Sequence, residues 1–261
     1  MYRKSIIAAL MLVLSAALLA AQAPASPAAG TQANQGAPPR GGRSGPALPA
    51  NQPAPRDDAR HKSFLEIAKA GNIGLLFVGD SITDWFSNPF RNGAAPGLEV
   101  WKATFTPYQP ANFGIAGDTT QGVLWRMQNG ELEGFQARVI VLMLGTNNIN
   151  RNPVDEIVDG DRLIIEEFRK RQPQAKVLLL GIFPRGADPA NPYRATIREI
   201  NAKLATLADS KQVFFMDIGD KFLTPDGRLT TEIMADGLHP TAKGYQIWAD
   251  AIKDTINRLM Q

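Results

Sequence analysis

Five short apolar runs recur along the chain, each ended by glycine or polar residues and followed by a longer stretch with helical spacing. The runs are Ile73–Gly79 (IGLLFVG), Ala111–Ile115 (ANFGI), Arg138–Leu144 (RVIVLML), Lys176–Ile182 (KVLLLGI) and Gln212–Ile218 (QVFFMDI). Each is nearly continuous in apolar character, the pattern expected of strands in a parallel sheet covered by helices on both faces. Between and after them the spacing predicts helices at about Thr119–Asn129, Pro153–Arg171, Pro192–Ala208 and Pro240–Met260. Strands alternating with helices predict an α/β three-layer sandwich, and five parallel strands predict a flavodoxin-like order. No internal repeat interrupts this scheme.

The pattern fails at the N-terminus in two different ways. Arg3 and Lys4 precede an apolar stretch, Ile6–Ala21, which is followed by the small-residue sequence AQA at 21–23. The stretch is shorter than the roughly 20 residues of a membrane span, so residues 1–23 read as a secretory signal and imply a secreted or periplasmic protein. A membrane association is expected only if that segment stays uncleaved. Residues 24–57 are rich in Pro, Ala, Gly, Gln and Asn with almost no bulky apolar side chain. Such a stretch buries too little surface to offset its ordering entropy, so it reads as a disordered tether. Residues 58–261 then form one domain, long enough for a sizeable core.

Charge changes the picture once the tether is set apart. The chain carries +3 overall, but seven of its 28 basic residues precede Phe64, leaving 21 basic and 23 acidic residues beyond it, a net of −2. With no basic stripe interleaved with aromatics, nucleic acid is not an expected partner. The chain has no cysteine, which removes disulfides, thiol nucleophiles and thiolate metal sites together. No His/Asp/Glu cluster has metal-ligand spacing, and neither metal nor cofactor is expected. Nothing in the pattern specifies an oligomeric state.

In sheets of this kind chemistry gathers beyond the carboxyl ends of the strands. The first strand ends at Gly79-Asp80-Ser81, the second at IAGDTT, the third at GTNN, the fourth at FPRG and the fifth at MDIGD. A serine hydroxyl needs a base to become a nucleophile, most often histidine. The chain has two histidines. His61 lies at the edge of the tether and reads as a solvated residue. His239, in the loop before the last helix, lies on the same edge as Ser81. Asp236, three residues earlier, is near enough to fix the imidazole tautomer. Ser81, His239 and Asp236 are therefore candidate catalytic residues.

With these residues in order, the chain resembles the GDSL, or SGNH, hydrolase family. Its first block resembles GDSITD, its second NFGIAGDTT, its third GTNN and its fifth DGLH. The stretches NFGIAGDTTQGVLWRMQNGELE, RQPQAKVLLLGIFPRG and GLHPTAKGY are most similar to the branch of the platelet-activating-factor acetylhydrolase catalytic subunits. The resemblance implies a flavodoxin-like SGNH fold, no cofactor and hydrolysis of small acyl esters. It also implies an oxyanion hole made by the backbone N–H groups of Ser81 and Gly117 and the side chain of Asn147, with Asn148 as a rival for the last role. The chain departs from that branch in its signal and tether, and in Ala116, where the branch commonly has glycine.

The expectation is a serine esterase with a Ser-His-Asp triad, acting on small, mostly acetyl, esters of carbohydrate or another small molecule. A lysophospholipase, thioesterase or phospholipid acetylhydrolase is the alternative among enzymes, and an inactive exported carbohydrate-binding domain the alternative outside them. Asp80 and Asp84 read as turn and capping residues, Asp118 as a helix cap, and Trp125, Arg126 and Arg185 as packing or pairing residues.

Overall fold

The computed structural model describes residues 47–88, 93 and 95–261. The predicted signal at 1–23 and most of the predicted tether lie outside these residues. Five strands form one sheet: β1 (Leu75–Gly79), β2 (Pro110–Gly114), β3 (Val139–Met143), β4 (Lys176–Leu180) and β5 (Val213–Met216). All neighbouring strands are parallel, in the order β2-β1-β3-β4-β5. This is the flavodoxin-like arrangement, with the chain switching direction on either side of β1. Each strand overlaps its predicted apolar run; β1 ends at Gly79 as predicted, while β2 to β5 end one or two residues sooner, because the residues just past them turn away to build loops.

Seven α-helices cover the sheet among the described residues: α1 (Ala59–Lys69), α2 (Ser81–Ser87), α3 (Leu98–Phe105), α4 (Thr120–Gln128), α5 (Val154–Arg171), α6 (Pro192–Leu204) and α7 (Ala242–Leu259). Four were predicted. The last starts two residues later than Pro240, because Thr241 caps it through its side chain and Pro240 is held in a bridge to Met234. Two apolar cores result, one on each face. Phe64, Phe113, Val123, Ile164 and Phe168 belong to one. Phe77, Phe86, Trp101, Tyr245 and Trp248 belong to the other. Phe86 packs against Trp101, Phe105, Tyr245 and Trp248 with ring centroids 4.6–5.7 Å apart. Each such fully buried side chain stabilises the fold by about 1.5–3 kcal/mol. Among the described residues no helix is long and apolar enough to cross a membrane.

The end of the predicted tether is fastened to the domain. The Thr120 hydroxyl donates to the Ala50 carbonyl at 2.7 Å. The amides of Gln121 and Asn152 donate to the Leu48 carbonyl at 2.8 and 3.0 Å. The Ala50 N–H donates to Glu156 and that of Ala54 to the Gln121 carbonyl. Residues 48–57 thus form a strap, held through backbone groups that composition does not signal. His61, expected to be solvated, is buried in α1 instead, its Nδ1 2.8 Å from Glu131.

Candidate active site

The turn from β1 into α2 carries the central residue. A Cβ at Gly79 would lie 2.2 Å from the Thr83 hydroxyl and 2.5 Å from the Met143 carbonyl, so only glycine lets the strand turn here. Asp80 caps α2, its carboxylate accepting the Ile82 N–H at 3.0 Å, and Ser81 becomes the first helical residue. The helix is fixed from two sides. The Tyr245 hydroxyl donates to the Ile82 carbonyl at 2.7 Å, and the Asn112 amide donates to the Thr83 carbonyl at 2.7 Å.

His239 and Asp236 arrive from the loop before α7, whose ends the Met234–Pro240 bridge draws together. Asp236 Oδ1 accepts the N–H groups of Leu238 and His239 at 3.0 and 2.8 Å. Its Oδ2 stands 2.6 Å from His239 Nδ1. His239 Nε2 stands 2.9 Å from Ser81 Oγ. With Nδ1–H donated to Asp236, Nε2 is left to accept from the serine hydroxyl. Partial burial would raise the Asp236 pKa, but the hydrogen bonds and charge of His239 outweigh it and hold the carboxyl below its ordinary value. It is therefore an anion at neutral pH, the state that orients an imidazole.

Trp85, one helical turn after Ser81, stacks on the His239 ring with centroids 4.0 Å apart and planes at 28°. The sequence reading missed this contact. Its signal was the four-residue spacing from Ser81, which puts both side chains on one helix face once α2 is recognised.

Two further loops border Ser81. Gly117 follows β2 with φ of +77° and open space where a Cβ would be, so its backbone angle, rather than crowding, calls for glycine. Neither its N–H nor that of Ser81 has a protein acceptor among the described residues. Asn147 follows β3; its amide donates to the Asp118 carbonyl at 2.8 Å, and the side chain stays partly exposed. Asn148 is buried instead. Its oxygen accepts the Thr120 N–H, and its amide reaches Thr120 Oγ1, Gln121 and Asn152 at 2.8–3.1 Å. Of the two, Asn147 alone keeps an accessible side chain.

Among the surrounding polar residues, Asp118 and Asp84 depart from the sequence reading, whereas Arg126 and Arg185 pair and pack as read. Thr119, not Asp118, occupies the N-cap of α4. Asp118 is buried and accepts from Arg126 Nε at 3.0 Å, while also taking the Thr119 N–H. Arg126, fully buried, donates further to the Phe113 carbonyl at 3.1 Å and to Glu131. Burial alone would lower its pKa, but the carboxylates of Glu131 and Asp118 raise it. Asp84 bonds at long range instead of locally: Oδ1 pairs with Arg60 at 2.8 Å and Oδ2 accepts the Ala116 N–H at 3.2 Å. Arg185 packs over Tyr193 and donates to the Thr146 carbonyl.

Two buried carboxyls, the capping residue Asp80 and Asp161, have raised pKa values. Asp80 is pushed up to about 7, first by burial, with its Ile82 hydrogen bond opposing and Asp118 adding to the rise. Asp161 on α5 is also raised, by burial and then by Asp80, and neither of its oxygens has a partner among the described residues.

This arrangement joins a hydroxyl, an imidazole and a carboxylate in hydrogen-bond sequence, a set suited to acyl transfer. The same class emerges from comparison with known proteins. The chain belongs to the GDSL-like lipase/acylhydrolase family, matching it over residues 77–247, and is a carboxylic ester hydrolase. It is 36% identical over 204 residues to platelet-activating factor acetylhydrolase IB subunit alpha2 of Rattus norvegicus, covering 78% of this chain and 84% of that one. It is 34% identical over 226 residues to the alpha1 subunit of Homo sapiens, covering 83% and 93%. Among solved structures, a GDSL-like lipase from Bacteroides thetaiotaomicron superposes with a TM-score of 0.61 at 20% identity, covering 76% of this chain and 97% of that one. The acetylxylan esterase Axe2 from Geobacillus stearothermophilus gives 0.56 at 21% identity, covering 74% and 96%. At these identities the two structures share the fold.

Proposed function

We propose that the protein is a serine esterase that removes small acyl groups, acetyl above all, from carbohydrate esters outside the cytoplasm. The observation that carries this reading is the continuous relay from Ser81 Oγ to His239 Nε2 at 2.9 Å and from His239 Nδ1 to Asp236 Oδ2 at 2.6 Å.

In the first half-reaction Ser81 Oγ attacks the ester carbonyl carbon while its proton passes to His239 Nε2. Asp236 stabilises the imidazolium that forms. The oxyanion accepts hydrogen bonds from the N–H groups of Ser81 and Gly117 and from the Asn147 amide. Collapse of the tetrahedral intermediate breaks the bond to the alcohol oxygen, which leaves with the proton from His239. In the second half-reaction water attacks the acyl-serine, His239 takes its proton, and the acid departs as that proton returns to Ser81 Oγ.

The acetyl preference draws support from the names of the relatives, an acetylhydrolase and an acetylxylan esterase. The carbohydrate rests on the exported character read in residues 1–23. Replacement of Ser81 or His239 by Ala should lower turnover of p-nitrophenyl acetate by roughly 10⁴-fold. Full activity in either variant would overturn the assignment. Acetylated xylan, a phospholipid acetyl ester and p-nitrophenyl octanoate, assayed side by side, separate the acetyl-glycan reading from a phospholipid acetylhydrolase or a longer-chain esterase. A chain inert on every ester would be the binding domain instead.

A further inference from the structure

The loop that carries Gly117 runs from Ile115 to Asp118 and has little packing of its own, since Ala116 and Gly117 are both exposed. It is held from two directions. From inside, Arg126 grips the Asp118 carboxylate and the Phe113 carbonyl. From outside, Asp84 accepts the Ala116 N–H at 3.2 Å with one carboxylate oxygen while the other pairs with Arg60 at 2.8 Å. Arg60 reaches the Gly114 carbonyl at 3.3 Å with the same nitrogen. Arg56 adds a contact to the Ala116 carbonyl at 3.5 Å and approaches Asp118 at 3.8 Å.

Both outer arginines precede residue 77, where the family match begins. Arg60 is set by the capping of α1: Asp58 accepts the N–H groups of Arg60 and His61 at 3.0 and 3.1 Å, which fixes the first turn that bears it. Arg56 lies on the strap. That strap also binds Thr120, Gln121 and Asn152, the residues that enclose Asn148, next to Asn147. The two loops bearing the proposed oxyanion donors are therefore tied to one segment, residues 48–60.

We propose that this segment is a brace for the oxyanion hole, with Arg60 and Asp84 as its principal positioning residues and Arg56 as an outer one. The inference rests on the acyl-transfer reading of the site and adds to it a role for residues that never touch substrate. Asp84 couples α2, which carries the nucleophile, to the loop that carries Gly117, and Arg60 holds the Asp84 carboxylate in the orientation that receives the Ala116 N–H. Loosening the pair lets the Gly117 N–H move away from the developing oxyanion while substrate binding is unaffected. Displacements of about 1 Å in such groups cost on the order of a hundredfold in rate.

The test is steady-state kinetics of the full-length chain on p-nitrophenyl acetate, with melting curves as a folding control. Arg60→Ala should lower kcat by about 10- to 100-fold with KM within about twofold. Arg60→Lys, which keeps the charge toward Asp84, should recover most of the loss. Arg56→Ala should lower kcat by a few-fold. In an Asn147→Ala background Arg60→Ala should cost less than about threefold more, because both changes act on one hole. Equal factors in the two backgrounds would overturn the brace. If Arg60→Ala does not fold, Arg56→Ala decides: a loss confined to kcat supports the brace and an unchanged kcat rejects it. Ser81→Ala serves as the reference. Retained turnover there would remove the site reading and the brace with it, whereas an inactive Ser81→Ala beside fully active, folded arginine variants would remove the brace alone.

Discussion

Replacing Asp80 by Asn tests whether burial keeps this carboxyl protonated beside the nucleophile. Asp80 is wholly buried, one of its oxygens has no partner among the described residues, and its pKa is raised from 3.8 to about 7. A carboxyl whose pKa is higher in the folded than in the unfolded state contributes stability that is fully present below the unfolded value. That contribution is lost as pH rises through the folded one. At 1.36 kcal/mol per pH unit, titration from pH 5 to beyond the folded pKa removes about 3 kcal/mol. Asp161, raised by burial and by Asp80 itself, adds loss in the same direction. Asn keeps the oxygen that accepts the Ile82 N–H, so the cap survives, but it has no charge to desolvate. Urea unfolding followed by tryptophan fluorescence at pH 5 and pH 8 gives the difference directly. The wild type should lose about 3 kcal/mol more than Asp80→Asn across that interval. Equal losses would mean that Asp80 is ionised throughout, refuting the desolvation argument.

Other outcomes follow from the same contacts. Arg126→Met leaves Asp118 and Glu131 buried without their cation and should destabilise the fold by about 3–5 kcal/mol, read from denaturant midpoints. Asn147→Ala should lower kcat by about 10²–10³-fold with little change in melting temperature. Asn148→Ala should instead cost about 1–3 kcal/mol of stability through its orphaned partners; the reverse pattern would exchange their roles. Trp85→Ala removes the ring stacked on His239 and should lower kcat by about two- to tenfold, the equivalent of 0.5–1.5 kcal/mol for an aromatic pair, while Trp85→Phe should retain most of the rate.

The sheet was legible because continuous apolar runs leave a parallel strand little alternative, and each observed strand overlaps its predicted run, β2 starting one residue early at Pro110. The candidate triad was legible because chemistry narrows the choice: one serine after β1 and one histidine beyond the last strand. Local reasoning gave less for groups whose partners are distant. His61 pairs across 70 residues and Arg60 across 24, and no spacing rule connects them. Asp84 and Asp118 suited capping roles, and only the fold reveals that arginines claim them. Helix α2 was hidden by its own motif, since Gly-Asp-Ser reads as a turn although Ile82, Trp85 and Phe86 follow with helical spacing. The strap was hidden by composition: alongside Asn51 and Arg56 it is bound through the backbone of Leu48, Ala50 and Ala54, which any sequence would supply.

On the proposed mechanism His239 makes Ser81 the nucleophile. Treatment of the intact protein with a fluorophosphonate probe, followed by peptide mass spectrometry, tests it in one experiment. A single adduct is expected on Ser81, absent from Ser81→Ala and formed at least a hundredfold more slowly in His239→Ala. An adduct on another residue, or undiminished labelling of Ser81 without His239, would contradict it.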